Sequence, residues 1–334
     1  MGKFGKGLAA ALIAFSLSLG AYAEGRMLIP GGQLVGVTVK TDGLVYVGAS
    51  DLGSSPSPAR LSGLKNGDVI TKINGVAVSG VQSLTDNVQS GKENTLEVMR
   101  GGETLSLRLT PKIDPRDGKV KIGAWVRESV AGLGTLTYID PKTGEFAALG
   151  HSISDPDANI VVPISGGQLL DAKFTGVIKG EKGAPGELSG AFLNDGAVLG
   201  EIRENAESGI KGTFTKANLN DYVYSAPMEI AKKGEVKTGR AEILSTVSDT
   251  GTDVYAIDII AVDETENERN LLIKVTDQAL LNKTGGIVQG MSGSPILQNG
   301  RIVGAVTHVL VNDPTRGYGI FIENMLKAAE NGIN

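Results

Sequence analysis

Glycine punctuates this chain densely. It fills 47 of 334 positions, about twice the usual ~7%. There is no Gly-X-Y period, so the density means many tight turns. Long helices are disfavoured, because each interior glycine costs a helix about 1 kcal/mol. The runs between the glycines are short and rich in Val, Ile, Leu and Thr, which predicts a mainly β protein. At roughly 100–200 residues per domain, the length suggests two domains, each able to bury a core. An apolar content of 41% and a charged content of 21% exclude both a disordered polymer and a multi-span membrane protein. A net charge of −5 leaves no basic surface for nucleic acid. The chain has no cysteine, which excludes disulfides, thiolate metal sites, iron–sulfur clusters and thiol nucleophiles. It has two histidines, His151 and His308, so any chemistry that needs an imidazole uses one of them.

The N-terminus carries an export pattern. Lys3 and Lys6 precede a run of apolar and small residues from Leu8 to Leu19, and Ala21-Tyr22-Ala23 follows. A basic start, a short apolar stretch and an A-x-A tail form a secretory signal, or an anchor if uncleaved. Residues 1–23 are therefore assigned to export, and the remainder is expected to work outside the cytoplasm.

Residues 24–111 read as a first domain. Val35–Val39 and Leu44–Val47 alternate as strands across a Thr41-Asp42-Gly43 turn. Val81–Gln89 reads as a helix, and Asn94–Met99 pairs with Thr104–Leu109 as a hairpin. Between these lie Ser57-Pro58-Ala59, Gly63-Leu64-Lys65-Asn66-Gly67-Asp68-Val69-Ile70 and Ile73-Asn74-Gly75. That series resembles bacterial PDZ domains over about 75 residues. The resemblance implies peptide binding by strand addition at a sheet edge, with a C-terminal carboxylate held by free amides of a glycine-rich loop. By position, that loop is Gly31-Gly32-Gln33-Leu34-Val35-Gly36-Val37. Residues 112–119, polar, broken by Pro115 and preceded by Pro111, read as a linker.

Residues 120–334 form the second unit, in which short strands with turn signals suggest an all-β barrel or a pair of barrels. Gly134–Ile139, Glu145–Leu149, Asp253–Val262, Leu271–Val275 and Arg301–Val311 read as strands, and Ile322–Glu330 as a helix. Chemistry concentrates in Gly290-Met291-Ser292-Gly293-Ser294-Pro295. Glycines on both sides of a serine permit a tight turn that exposes its hydroxyl and aims the amides of Gly290 and Ser292 at one point, an oxyanion hole. Ser294, beside Pro295, is read as structural. Serine needs a base to take its proton. His151, at the end of a strand and the start of a loop, suits that role better than His308 within a valine-rich strand. The acid that would orient the imidazole is left open between Asp277, Asp195 and the loop acids Asp155 and Asp157. The segment Asp155–Asn159 begins like a calcium loop, but Ile160 stands where glycine is required, so no metal is expected.

Gly150-His151-Ser152-Ile153, Thr284 to Ile296, and Val303 to Val309 together resemble the stage IV B sporulation (SpoIVB) peptidase family, as does the order of export segment, PDZ and peptidase domain. The resemblance implies a serine endopeptidase with a chymotrypsin-like double β-barrel and no cofactor. It places the histidine, aspartate and serine on His151, Asp277 and Ser292, with Thr307 as a further position linked to activity. It also implies a role in endospore formation. The enzyme would be secreted into the space between the forespore membranes and would cleave itself and a membrane-bound regulatory complex of an intramembrane protease, leading to activation of a late sigma factor. The PDZ ligand would be a peptide C-terminus or the chain's own N-terminal segment. The rival expectation is a non-catalytic PDZ adaptor built on a degenerate peptidase fold.

Overall fold

A computed structural model of the chain describes residues 25–192, 197–215 and 226–330. The expected export segment and Asp195 lie outside the described residues. Among the described residues, no helix is long and apolar enough to cross a membrane.

The fold is mainly β, as its glycine-punctuated sequence predicts, and it is organised around two rings of six strands. The C-terminal ring is a closed barrel in the order Gly239–Thr246, Thr252–Val262, Leu271–Val275, Asp313–Phe321, Arg301–Leu310, Pro295–Gln298. Its strands alternate in the way a half-buried sheet demands. Along Thr252–Val262, for example, Tyr255, Ile257 and Ile259 point inward, where they join Ile243, Ile273, Ile296 and Val306 in one core. The helix Ile322–Glu330 follows the last strand.

The N-terminal ring is closed by pairings between Leu34–Ala49, Ala124–Ile139, Glu145–Ala148, Gly209–Phe214, Val198–Ala206 and Ile164–Ile178, the last returning to Leu34–Ala49. Val35, Val37 and Val39, spaced by two, face its core beside Leu136, Phe146, Leu169 and Ile210. The closing strand comes from the segment assigned by sequence to the PDZ. Thr41-Asp42-Gly43 does not turn the chain back; one sixteen-residue strand runs straight through with a bulge. Gly43, at φ +103, fits the bulge because a Cβ there would stand 2.6 Å from the Ile70 carbonyl.

The second half of that strand serves the PDZ. Leu44 and Val45 pair with Val69–Ile73, which pairs onward with Asn94–Arg100 and then Glu103–Leu109. Leu44, Tyr46, Ile70, Ile73, Leu84, Leu96 and Val98 form a separate core. Asp68 of the Gly-Asp signature is buried and accepts hydrogen bonds from Arg100 Nε at 2.6 Å and the Lys65 amide at 2.9 Å, which fixes the turn. Residues 112–119 are not a loose linker. Lys112–Ile113 pairs with Val120–Lys121 around buried Asp114, and hydrogen bonds from Arg116 and Lys121 hold that carboxyl well below the usual range.

Candidate active site

The nucleophile loop bridges the two barrels. Gly290 and Gly293 adopt φ of +94 and +97, the left-handed region open to glycine. A Cβ on Gly293 would stand 2.1 Å from the Thr135 carbonyl, so the loop can dock this closely on the first barrel only with glycine there. Three hydrogen bonds tie it down. The Thr135 hydroxyl donates to the Gly290 carbonyl at 2.7 Å and the Thr135 amide to the Ser292 carbonyl at 3.0 Å. The Thr137 hydroxyl donates to the Gly293 carbonyl at 2.8 Å. The amides of Gly290 and Ser292 donate no hydrogen bond among the described residues, whereas those of Met291, Gly293 and Ser294 all do. Ser294 is buried and donates to the Ser245 hydroxyl at 3.1 Å, in keeping with a structural part.

His151 reaches the same cleft from the first barrel. The strand Glu145–Ala148 delivers it through two left-handed residues, Leu149 at φ +72 and Gly150 at φ +69. His151, Ser292, Thr307 and His308 line one cleft of about 480 Å³. His151 Nδ1 lies 2.8 Å from the Ser152 carbonyl, which fixes a proton on Nδ1 and leaves Nε2 as a free base. Burial holds this imidazole below its usual 6.5, with partial opposition from the Ser152 carbonyl. The Ser292 hydroxyl donates to the Thr307 carbonyl at 2.7 Å, so it must rotate to meet the base. The Thr307 hydroxyl is buried without a partner.

Asp277 does not join them. It is the N-cap of the helix Gln278–Thr284; its carboxylate accepts from the Leu280 amide at 2.9 Å and, more weakly, from the Ala256 amide at 3.4 Å. The position expected for the acid is thus spent on a helix terminus, a common use for aspartate. Asp155 and Asp157 are bound by Arg127 at the neighbouring hairpin, and Asp155 also accepts from the Asp157 and Ala158 amides as a turn former.

The loop proposed for the PDZ carboxylate is also placed elsewhere. The amides of Gly31 and Gly32 donate to the Thr137 and Leu136 carbonyls, and Leu34, Val35, Gly36 and Val37 are rungs of the first barrel. Gln33 sits between them, its carbonyl accepting from the Leu136 amide. These groups face the peptidase barrels, and their ladder bonds leave no nest of amides.

His308 emerges beside His151, with ring centroids 4.9 Å apart and planes tilted by 35°. Burial, followed by the nearby His151 and Arg269, pushes its pKa down to about 4. Sequence reading placed it as a packed strand residue and missed what it packs against. The available signal was its adjacency to Thr307 at the end of the buried run Ile302–Thr307. Thr135 and Thr137 were also missed; hydroxyls two apart in an otherwise apolar strand mark one face with polar work to do. The cleft walls are Leu133, Leu149, Ile153, Ile287, Val288 and Val309, and among the described residues its lining holds no Asp, Glu, Lys or Arg. Among the described residues there is no group of three or more His, Cys, Asp or Glu that could hold a metal ion.

Zinc metalloprotease RasP of Shouchella clausii is 33% identical over 104 residues, covering 30% of this chain and 24% of that protein. A putative zinc metalloprotease of Thermotoga maritima is 39% identical over 59 residues, covering 18% of this chain and 12% of that protein. The chain therefore spans a quarter or less of the length of these curated relatives. Among solved structures, the HtrA-type protease AlgW with a decapeptide matches at 12% identity and a TM-score of 0.37, covering 63% of this chain and 53% of that one. The active form of the Rv3671c protease from M. tuberculosis matches at 12% and 0.32, covering 59% and 72%. The PDZ domain signature matches residues 35–110. The signature of the SpoIVB peptidase S55 family matches residues 118–326, well over half the sequence, and on that match the chain belongs to the SpoIVB peptidase S55 family.

Proposed function

We propose that the chain is an exported serine endopeptidase. The observation that carries this reading is the serine held between two left-handed glycines, with two unengaged amides beside it and a neutral imidazole in the same cleft. Ser292 attacks the scissile carbonyl as His151 Nε2 takes its proton. The amides of Gly290 and Ser292 receive the oxyanion, and His151 returns the proton to the leaving amine. A water then repeats the sequence on the acyl-enzyme. The Ser152 carbonyl does for the imidazole what a carboxylate does in a triad: it fixes the tautomer and ring orientation, with less stabilisation of the imidazolium. The resting hydroxyl, turned to Thr307, is a state that substrate must displace.

Family membership supports a protein substrate. The finer assignment follows the same family: self-cleavage, and cleavage of a membrane-bound regulatory complex of an intramembrane protease in the forespore intermembrane space. The basic and apolar N-terminal sequence supports export. The PDZ supports capture of a peptide end. The turned hydroxyl and an imidazole with no carboxylate partner among the described residues favour one other reading, an adaptor that has lost catalysis. Labelling with a fluorophosphonate probe decides between them. The expected result is labelling that Ser292→Ala abolishes and His151→Ala reduces by roughly 10³-fold or more. An unlabelled protein would return the adaptor.

A further inference from the structure

The cleft and the PDZ share one strand edge. From Ala124 to Thr135, the strand Ala124–Ile139 pairs with Leu34–Ala49 on one side. On its other side, pairing with Glu145–Ala148 begins at Leu136. None of the residues from Ala124 to Leu133 is fully buried, while every residue from Gly134 to Ile139 is. Thr135 shows which way the open edge faces. Its amide donates to the Ser292 carbonyl and its carbonyl accepts from the Leu149 amide, both away from Leu34–Ala49. Backbone direction alternates with a period of two, so Leu133, Ala131 and Ser129 turn their amides and carbonyls to that same outer side.

The edge has a distinct receptor at each end. At one end it abuts the nucleophile residue itself, and Leu133, Gly132 and Ala131 line the cleft. At the other end lie Ile122 and Gly123. Both are buried, and neither amide donates a hydrogen bond among the described residues. Their carbonyls are engaged, by the Ala59 amide and by the Ser50 amide and Ser57 hydroxyl respectively, which fixes the loop. Amides without partners in a buried segment are rare, and two in succession offer donors that an anion could use. The PDZ helix Val81–Asn87 meets this edge nearer its middle, where its first amide donates to the Glu128 carboxylate at 2.8 Å.

We propose that one substrate segment anneals along the whole edge, with its scissile bond at Ser292 and its free C-terminal carboxylate on the amides of Ile122 and Gly123. The segment runs from Ser292 toward Gly123, opposite to the strand, and so adds as an antiparallel partner. From Leu133 back to Ala124 is about ten residues, or roughly 33 Å of extended chain. The enzyme would thus measure its cut at about ten residues from a protein's carboxyl end. The reactive end of this inference rests on the hydrolase reading above; the binding end does not.

The test uses peptides of one fixed cut-site sequence followed by unstructured tails of about 4, 7, 10 and 14 residues, each made as free acid and as C-terminal amide. Binding to the Ser292→Ala protein is followed by the fluorescence of Trp125, the chain's single tryptophan, which lies on this strand and is 62% exposed. Hydrolysis by the unaltered protein gives kcat/KM. The expected result is an optimum near the ten-residue acid in both measurements, with at least a tenfold loss on amidation. Ala131→Pro, which removes an outward amide, should erase the dependence on tail length. Affinity that ignores both tail length and amidation overturns the proposal, whether or not cleavage occurs. A length optimum in binding without cleavage or probe labelling would uphold the annealed tail and remove the hydrolase reading.

Discussion

The two barrels reach the same strand number by opposite routes. The C-terminal ring is assembled from residues 239–321, and its neighbours in space are largely neighbours in sequence. The N-terminal ring closes with a strand from the far side of the PDZ, pairing Val37 with Gly132 and with Leu169. Closing over such separations costs more chain entropy before contacts repay it. The difference also decides what each barrel can communicate. The C-terminal ring is self-contained, whereas the N-terminal ring shares two of its six strands with the PDZ.

The sharpest way to break this comparison is a matched pair of core truncations. Leu169→Ala and Ile273→Ala each remove a fully buried side chain, one per barrel, and each is expected to cost about 2–5 kcal/mol. Hydrogen exchange should separate them. The first should raise exchange in both the N-terminal ring and PDZ residues 44–49, and the second should leave the PDZ unchanged. Equal spread from both would refute the shared-strand account. A smaller effect tests the helix cap within the self-contained barrel. Asp277→Ala should lower stability by about 1 kcal/mol and Asp277→Asn should restore most of it, because asparagine caps as well as aspartate. Destabilisation by asparagine equal to that by alanine would contradict the capping role.

The smallest effect concerns the two imidazoles where the barrels meet. Both have pKa values in the folded protein below the ordinary 6.5, mainly through burial. The unfolded chain therefore binds more protons in mild acid. Their contribution to stability is complete above about pH 6.5 and is lost as pH falls toward 4. A thermal midpoint that declines over this window, with a shallower decline in His308→Gln, is the expected outcome. A decline of unchanged slope in that variant would assign the effect to other groups.

Much of the molecule was legible in the sequence because it is local. The nucleophile loop spans six consecutive residues, and its glycines dictate the turn. The strand–turn–strand segments around Asp140–Gly144 and the hairpin at Arg100–Glu103 follow from alternation and turn residues. Partner choice was not legible. The alternation of Val35, Val37 and Val39 says that they face a core and not which core, so Thr41-Asp42-Gly43 looked like a hairpin turn. Residues 112–119 looked like a linker because Pro115 and the charges around it signal solvent, yet Asp114 uses those charges to bury itself. Family resemblance placed the acid on Asp277, but a matched motif position does not report that a helix starts at the next residue. His308 could be placed in a strand, but its stacking on His151 depends on the meeting of two barrels.

The strand from Leu34 to Ala49 also bears on how such a protein can change over evolutionary time. Where modules are strung like beads, recombination can exchange one for another and leave the rest intact. Here a crossover between the two modules would carry off a stave of the neighbouring barrel, so the pair is expected to be inherited as a single unit and to diverge by point substitution.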